Sequence, residues 1–166
     1  MPDVVLVCDT SMLIDLERAG LADVILPVGH HRWVVPDLLY GGELAAWRGA
    51  DWLRRGLEVI ELSPEEMAAA QRHFQAARGL SLADCAGLSL ALHRQWILLT
   101  GDASLRKLAA DNRVGCEGLL WLVESAHHSG ADLVLIEQGV RRLLAHPRCR
   151  LASVEVEIVL RILLGT

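Results

Sequence analysis

The feature that most constrains the fold is a short apolar run near the start of the chain, VVLVCDTS at residues 4–11. The run is rich in β-branched residues and ends in a carboxylate and two hydroxyls, which is typical of a buried strand in a parallel sheet. Ligands of open α/β sheets bind beyond the carboxyl ends of the strands. The run therefore predicts that Asp9 lies at a ligand-binding edge, with Thr10 or Ser11 capping the next helix. A plain helix-entry role for Asp9 is the alternative.

Composition restricts the class of protein. With 166 residues, 52% of them hydrophobic, the chain is long enough for one globular domain with a sizeable core. Its 16 basic and 21 acidic residues give a formal charge of −5. This balance argues against a generic nucleic-acid coat protein, but not against an enzyme whose acids hold a cation. The four cysteines form no C-x-x-C pair, and no leader or long apolar run is present, so we expect a cytoplasmic protein without a membrane span.

The rest of the pattern predicts alternating strands and helices, which favours an α/β fold with a parallel sheet. Further strands are predicted at residues 32–35, 57–62, 95–100 and 113–118. Helices are predicted at residues 12–17, 21–26, 38–53, 64–78, 82–93, 103–110, 119–129 and 133–144. Residues 154–164 are apolar and ambiguous, and we favour a helix there.

Three more acids occur at positions comparable with that of Asp9. Glu43 follows two glycines inside the predicted helix 38–53, and its neighbours on that face are apolar. A carboxylate on such a face is costly unless it is paired or bound to a metal, and the glycines suggest a close backbone approach. Asp84 follows Ser81 in a pattern similar to a capping box, and Asp102 follows a strand and leads into a helix. Each acid therefore also has a structural explanation, as a rim residue or a cap.

Right-handed crossovers would bring the strand-end acids Asp9 and Asp102 to one edge of the sheet. Crowded carboxylates repel one another, so a hard cation is their natural partner, and magnesium is usually held by a few carboxylates, water and substrate phosphates. Such an ion would polarise a phosphodiester and lower the pKa of a bound water. The acids therefore predict metal-dependent phosphodiester hydrolysis. The glycine motifs of nucleotide-binding sites and the G-x-S-x-G elbow are absent, and an aspartyl-phosphate phosphatase would carry an acid in place of Ser11.

In order and approximate spacing, these segments resemble the PIN-domain nucleases over roughly residues 4–123. The resemblance is carried by VCDTS and LIDL, by Val35-Pro36 before the helix with Glu43-Leu44, by LAD at 82–84, and by LTGD at 99–102 with Leu105 and Leu108-Ala109. It implies a three-layer α/β/α sandwich with a mostly parallel sheet, which we place over residues 1–130. The helical pattern of residues 131–166 predicts a C-terminal extension packed on the same domain. It also implies that four acids hold Mg²⁺ or Mn²⁺ for RNA cleavage: Asp9, Glu43, Asp84 and Asp102.

Partners follow from the same resemblance. Bacterial chains similar to this one are often VapC-type toxins, which a small antitoxin neutralises by inserting into the site. The long tail, residues 133–166, departs from the compact toxin pattern. A PIN-like regulatory or assembly module with weak or no catalysis is therefore the alternative function. The apolar content also predicts a homodimer, in which Trp47, Trp52 and Leu53 form an exposed patch.

Overall fold

The computed structural model describes residues 4–166 and contains, within them, a five-stranded parallel sheet of order β3-β2-β1-β4-β5. The strands are β1 (Val4–Cys8), β2 (His31–Pro36), β3 (Glu58–Ile60), β4 (Ile97–Leu99) and β5 (Cys116–Glu117). The central strand, β1, pairs with both β2 and β4, and its side chains are buried from Val5 onward. The α/β class with a parallel central sheet is confirmed, and the architecture is consistent with a three-layer α/β/α fold.

The helices of the first half of the described chain are α1 (Thr10–Ala19), α2 (Ala22–Ile25), α3 (Asp37–Leu39) and α4 (Gly49–Arg54). Those of the second half are α5 (Pro64–Ala76), α6 (Leu82–Arg94), α7 (Ala103–Asp111), α8 (Leu119–His128), α9 (Leu133–Leu144) and α10 (Ser153–Leu164). Most bounds lie within a few residues of the prediction, and the ambiguous segment near the end of the chain is a helix.

The predicted helix over residues 38–53 is wrong as a continuous element. A five-residue π-helical turn, Tyr40–Leu44, follows α3, and the chain then leaves the helix before α4 begins at Gly49. The predicted apolar patch is wrong in part for the same reason, since the break changes which side chains face outward. Trp47 and Leu53 are exposed, but Trp52 is completely buried.

The first compact unit comprises residues 4–11 and 30–117 as far as they are described, and it contains the sheet. Its core lies between the sheet and α5, α6 and α7. Helix α6 packs against β1, β2 and β4 at Gly87, whose added Cβ would lie 3.8 Å from the side chains of Val7 and Leu98. Only two residues separate α6 from β4, so α6 runs antiparallel to the strands and begins toward their carboxyl ends.

The second compact unit comprises residues 12–29 and 118–166, and it is mostly helical. Close packing occurs at Gly139 of α9, where an added Cβ would lie 2.5 Å from the side chain of Leu21. In the same region the guanidinium of Arg142 donates to the carbonyl oxygen of Ala19 at 2.9 Å. The predicted boundary between a domain 1–130 and an extension 131–166 stays a prediction.

None of the helices in the described part of the chain combines the length and apolar character that a membrane crossing requires.

Candidate active site

Asp9 lies immediately beyond the carboxyl end of β1, and only 4% of its surface is exposed. Its backbone N–H donates to the carbonyl oxygen of Leu99 in β4 at 3.3 Å. Its Oδ1 accepts a hydrogen bond from Ser11 Oγ at 2.8 Å, and its Oδ2 accepts one from Thr100 Oγ1. The side chain of Asp9 is therefore oriented by hydroxyl donors from two different segments.

Thr100 joins the ends of three strands. It is completely buried, and its backbone N–H donates to the carbonyl oxygen of Glu117 at 3.0 Å. Its carbonyl oxygen accepts from Arg106 at 2.9 Å, and its hydroxyl oxygen accepts from the backbone N–H of Asp102 at 3.0 Å while donating to Asp9. Every polar group of Thr100 is thus hydrogen-bonded, and the two strand-end acids, Asp9 and Asp102, are connected through one hydroxyl.

Asp102 is also the N-cap of α7, as the capping alternative predicts. Its Oδ1 accepts from the backbone N–H of Leu105 at 2.9 Å. The cap fixes where the carboxylate sits at the helix start. Helix capping and a role at the carboxyl edge of the sheet are compatible for this residue.

Glu43 lies in the π-helical turn and is exposed, so its predicted position on an apolar face is wrong; Leu44 is the buried residue there. The predicted close backbone approach is also wrong, because an added Cβ at Gly41 or Gly42 would meet nothing within 4 Å. The carboxylate of Glu43 accepts a hydrogen bond from the hydroxyl of Thr10. Glu43 is therefore tied to the residue next to Asp9. Single-turn π-helices occur frequently at functional sites.

Asp84 forms a complete capping box with Ser81. The backbone N–H of Asp84 donates to Ser81 Oγ at 3.0 Å, and Asp84 Oδ2 accepts from the backbone N–H of Ser81 at 2.8 Å. Asp84 precedes Gly87 by three residues, so it lies on the face of α6 that Gly87 presents to β1 and β4. The direction of α6 places Asp84 toward the carboxyl edge of the sheet.

Comparison with known proteins decides the family. The PIN domain family model (DUF3368) matches residues 5–164, which is nearly the whole chain. The chain belongs to the PIN domain family. A solved structure similar to this PIN domain is that of a PilT N-terminus domain protein from the hyperthermophilic archaeon Sulfolobus solfataricus P2. The two share 16% sequence identity with a TM-score of 0.53, covering 76% of this chain and 94% of that chain, so this likeness shows the fold alone. No curated protein sequence matches significantly.

Membership of the PIN domain family indicates a general class of activity. PIN domains are generally nucleases that use divalent metal ions, although inactive members exist. The predicted similarity to VapC-type toxins in particular stays a prediction.

Cysteines flank the acids of this PIN domain. Burial, with a smaller contribution from Asp9, raises the pKa of Cys8, and burial is also the main cause of the raised pKa of Cys116. Burial and the neighbouring Asp84 raise the pKa of Cys85 to about 11. These thiols remain protonated at neutral pH, so they do not offer a thiolate nucleophile. The ligand oxygens of this edge are those of carboxylates and hydroxyls.

Carboxylate oxygens of this kind suit a hard cation. Within residues 4–166, no three His, Cys, Asp or Glu side chains form a ready-made metal site. Magnesium does not require one, because one or two carboxylates together with water and substrate phosphates usually hold it. The oxygens of Asp9 and Glu43 fit such an ion in chemistry. The assignment of all four acids to one shared site stays a prediction.

Three residues at this edge were not recognised from the sequence: Thr100, Arg106 and Glu117. Thr100 and Glu117 end strands, as Asp9 does, and a polar residue closing an apolar run was the available signal. Arg106 carried no such signal, because its hydrogen bond to the carbonyl oxygen of Thr100 depends on how α7 follows β4.

Proposed function

We propose that this PIN domain is an endoribonuclease that uses Mg²⁺ or Mn²⁺ to hydrolyse RNA phosphodiester bonds. The observation that carries the proposal is the hydrogen-bonded network at the carboxyl edge of the sheet, in which Thr100 joins Asp9 to Asp102. A second hydrogen bond ties Glu43 to Thr10, the residue next to Asp9. Four carboxylates would hold the ion: Asp9, Glu43, Asp84 and Asp102. The bound metal would polarise the phosphodiester and activate water.

Hydroxyl groups of the protein orient the Asp9 carboxylate at the carboxyl edge of the sheet. The hydroxyls of Ser11 and Thr100 donate to the Asp9 carboxylate. They also fix the direction of its oxygens, as outer partners of metal ligands commonly do. Glu43 is exposed, so its carboxylate is accessible to an incoming substrate. The arrangement combines a rigid buried acid with an accessible one.

The first experiment compares wild type with Asp9→Asn in an RNA cleavage assay. The substitution preserves size and should keep the fold, while the loss of one negative ligand nearly abolishes cleavage. Melting temperatures should rise on metal addition by mass action in wild type, and less in Asp9→Asn. Glu65→Gln, which removes an exposed carboxylate at the start of α5, is the control. Cleavage by Asp9→Asn at the wild-type rate in saturating magnesium, with contaminating nuclease excluded, would refute the proposal.

The second candidate function is a catalytically weak regulatory or assembly module, and the capping contacts of Asp84 and Asp102 favour it. Asp102→Asn separates a catalytic role of this acid from capping, since Asn caps a helix about as well as Asp but carries no charge. A nuclease should lose cleavage and keep its stability with this change. Asp102→Ala should also lose about 1 kcal/mol of stability, whatever the function. Unchanged cleavage in Asp102→Asn would limit this acid to capping.

The proposal extends to the cellular role. We propose that the chain acts in the cytoplasm as the toxin of a toxin–antitoxin pair, neutralised by a small antitoxin protein. Growth arrest on expression, relieved by the product of an adjacent reading frame but not caused by Asp9→Asn, is the expected result. We also propose a homodimer, which exposed Trp47 and Leu53 support. A monomer in sedimentation at tens of micromolar would count against it.

A further inference from the structure

A shallow groove lies in the first compact unit, between α7 and the loop that joins α5 to α6. Its volume is about 320 Å³, at the lower end of the range for ligand sites. Arg78, Lys107 and Ser104 supply polar groups to its walls, and Leu80 and Leu108 supply apolar ones.

Two of the helices next to the groove also carry acids of the candidate active site. Ser104 is two residues from Asp102 on α7, and Leu80 directly precedes Ser81, which caps the helix carrying Asp84. On α7 the lining residues recur at intervals of three and four, at Ser104, Lys107, Leu108 and Asp111, so they share one face. The groove therefore extends along one face of α7, the helix that Asp102 caps.

Its charge differs from that of the whole chain. The formal charge is −5, yet the groove brings together the exposed side chain of Arg78 and the single lysine of the sequence, Lys107. Lys107 pairs with Asp111 at 3.1 Å, but the two side chains are 78% and 58% exposed. Such a surface pair is weak, and Lys107 can exchange Asp111 for a phosphate at small cost.

We infer that this groove binds the RNA strand on one side of the scissile phosphate. Arg78 and Lys107 contact backbone phosphates there, and the half-buried Leu108 provides apolar surface for a ribose or base. This inference rests on the proposed function for the identity of the substrate. It adds a binding subsite that the four acids do not supply.

Lys107 allows the inference to be tested directly. The rate at which an amine-acetylating reagent modifies Lys107 is measured by peptide mass spectrometry, with and without saturating oligouridylate, in the Asp9→Asn background. The N-terminal amine serves as an internal reference, because Lys107 is the single lysine. Occupation of the groove should slow modification of Lys107 several-fold relative to that reference. An unchanged relative rate under conditions where RNA is bound would overturn the inference.

Binding of the same oligonucleotide to Arg78→Ala and Lys107→Ala gives the second test. Each variant should bind roughly five- to tenfold more weakly. The slope of log affinity against log salt should also decrease by about 0.7 for each phosphate of the single strand that the variant no longer neutralises. Arg161→Ala removes one positive charge from an exposed position on α10 and is the matched control. An equal reduction of affinity in Arg161→Ala would mean that net charge, not the groove, determines binding.

The outcomes separate this inference from the proposed function. Cleavage by wild type, together with control-like binding by both groove variants, would refute the groove and leave the nuclease intact. Protection of Lys107 and weaker binding by both variants, in a wild type that cleaves no RNA with Mg²⁺ or Mn²⁺, would refute the nuclease and leave the groove as an RNA-binding site.

Discussion

Two carboxylates of the first compact unit, Asp9 and Glu66, are almost equally buried but are held in different ways. Glu66 is 5% exposed, and its oxygens accept two hydrogen bonds from the guanidinium of Arg94, at 2.7 and 3.0 Å. It also accepts the backbone N–H of Ser63 at 2.8 Å in a capping box. Asp9 is 4% exposed and accepts the hydroxyls of Ser11 and Thr100.

The hydrogen bonds described for these two acids differ in whether the donor carries charge. The hydrogen bonds from Arg94 lower the pKa of Glu66, and those same bonds raise the pKa of Arg94, so the two groups neutralise each other and link α5 to the end of α6. A hydroxyl orients a carboxylate without bringing a compensating charge. Burial alone therefore does not identify a functional acid. Under the proposed function, the hydroxyls orient Asp9 toward a cation, whereas the guanidinium of Arg94 holds Glu66 in the fold.

The largest expected effect on stability comes from breaking the charged pair. Arg94→Met leaves Glu66 buried without its guanidinium and should lower the free energy of unfolding by about 3–5 kcal/mol. The guanidinium of Arg94 also lies 5.1 Å from the centre of the Trp96 ring, and the substitution removes that contact. Urea unfolding without metal measures it, and Arg72→Met, at an exposed position on α5, is the control. Folded Arg94→Met should still cleave RNA at a normal rate, and a decrease of less than about 1 kcal/mol would make the pair dispensable.

An intermediate effect, on catalysis, is expected at Thr100. Thr100→Val keeps the shape of the side chain but removes the hydroxyl that joins Asp9 to Asp102. Outer partners of metal ligands typically contribute 10–100-fold to metal affinity or activity, so cleavage should fall by about that factor. Thr100→Ser restores a hydroxyl and should recover most of the activity. If valine and serine variants cleave equally well, Thr100 has only a packing role.

The sequence was sufficient to predict features that depend on neighbours in the chain. The apolar run ending in Asp9, the Ser81–Asp84 capping box and the N-cap at Asp102 all arise within a few residues and are present in the structure. The alternation of strands and helices likewise predicted the parallel sheet. Local patterns succeed here because strand burial and helix capping are determined by adjacent residues.

Contacts between residues that are far apart in the chain could not be predicted from local sequence patterns. Thr100 and Asp9 are 91 residues apart, and Arg94 and Glu66 are 28 apart, so no spacing rule predicts that they meet. The break near Glu43 was missed because the π-helical turn keeps a helix-like pattern of apolar residues while shifting which of them face inward. That shift exposes Glu43 and, beyond the turn, leaves Trp47 exposed while Trp52 is buried.

The smallest expected effect is the change of stability with pH that Glu66 causes. Arg94 holds the pKa of Glu66 below its ordinary value of 4.5 in the folded protein. Above 4.5 the carboxyl is ionised in both states, and the pair contributes its full stabilisation. As the pH falls through 4.5, the unfolded chain takes up the proton first, so stability decreases until the folded protein is protonated as well. Glu66→Gln should therefore be less stable than wild type at pH 7, and the difference should narrow in acid.

Asp15, in the second compact unit, should change the stability of the protein with pH in the opposite direction. Burial raises its pKa from the ordinary value of 3.8, even though Arg150, Arg18 and His146 act to lower it. The folded protein binds this proton more tightly than the unfolded chain, so the contribution of Asp15 to stability declines as the pH rises from 3.8 through the raised pKa. As the pH rises through this interval, Asp15→Asn should therefore become more stable relative to wild type, while Glu66→Gln becomes less stable relative to wild type. Melting temperatures of the three proteins between pH 3 and 7 measure both differences, and slopes of the same sign would contradict the opposite pKa shifts of Asp15, which burial dominates, and Glu66, which Arg94 dominates.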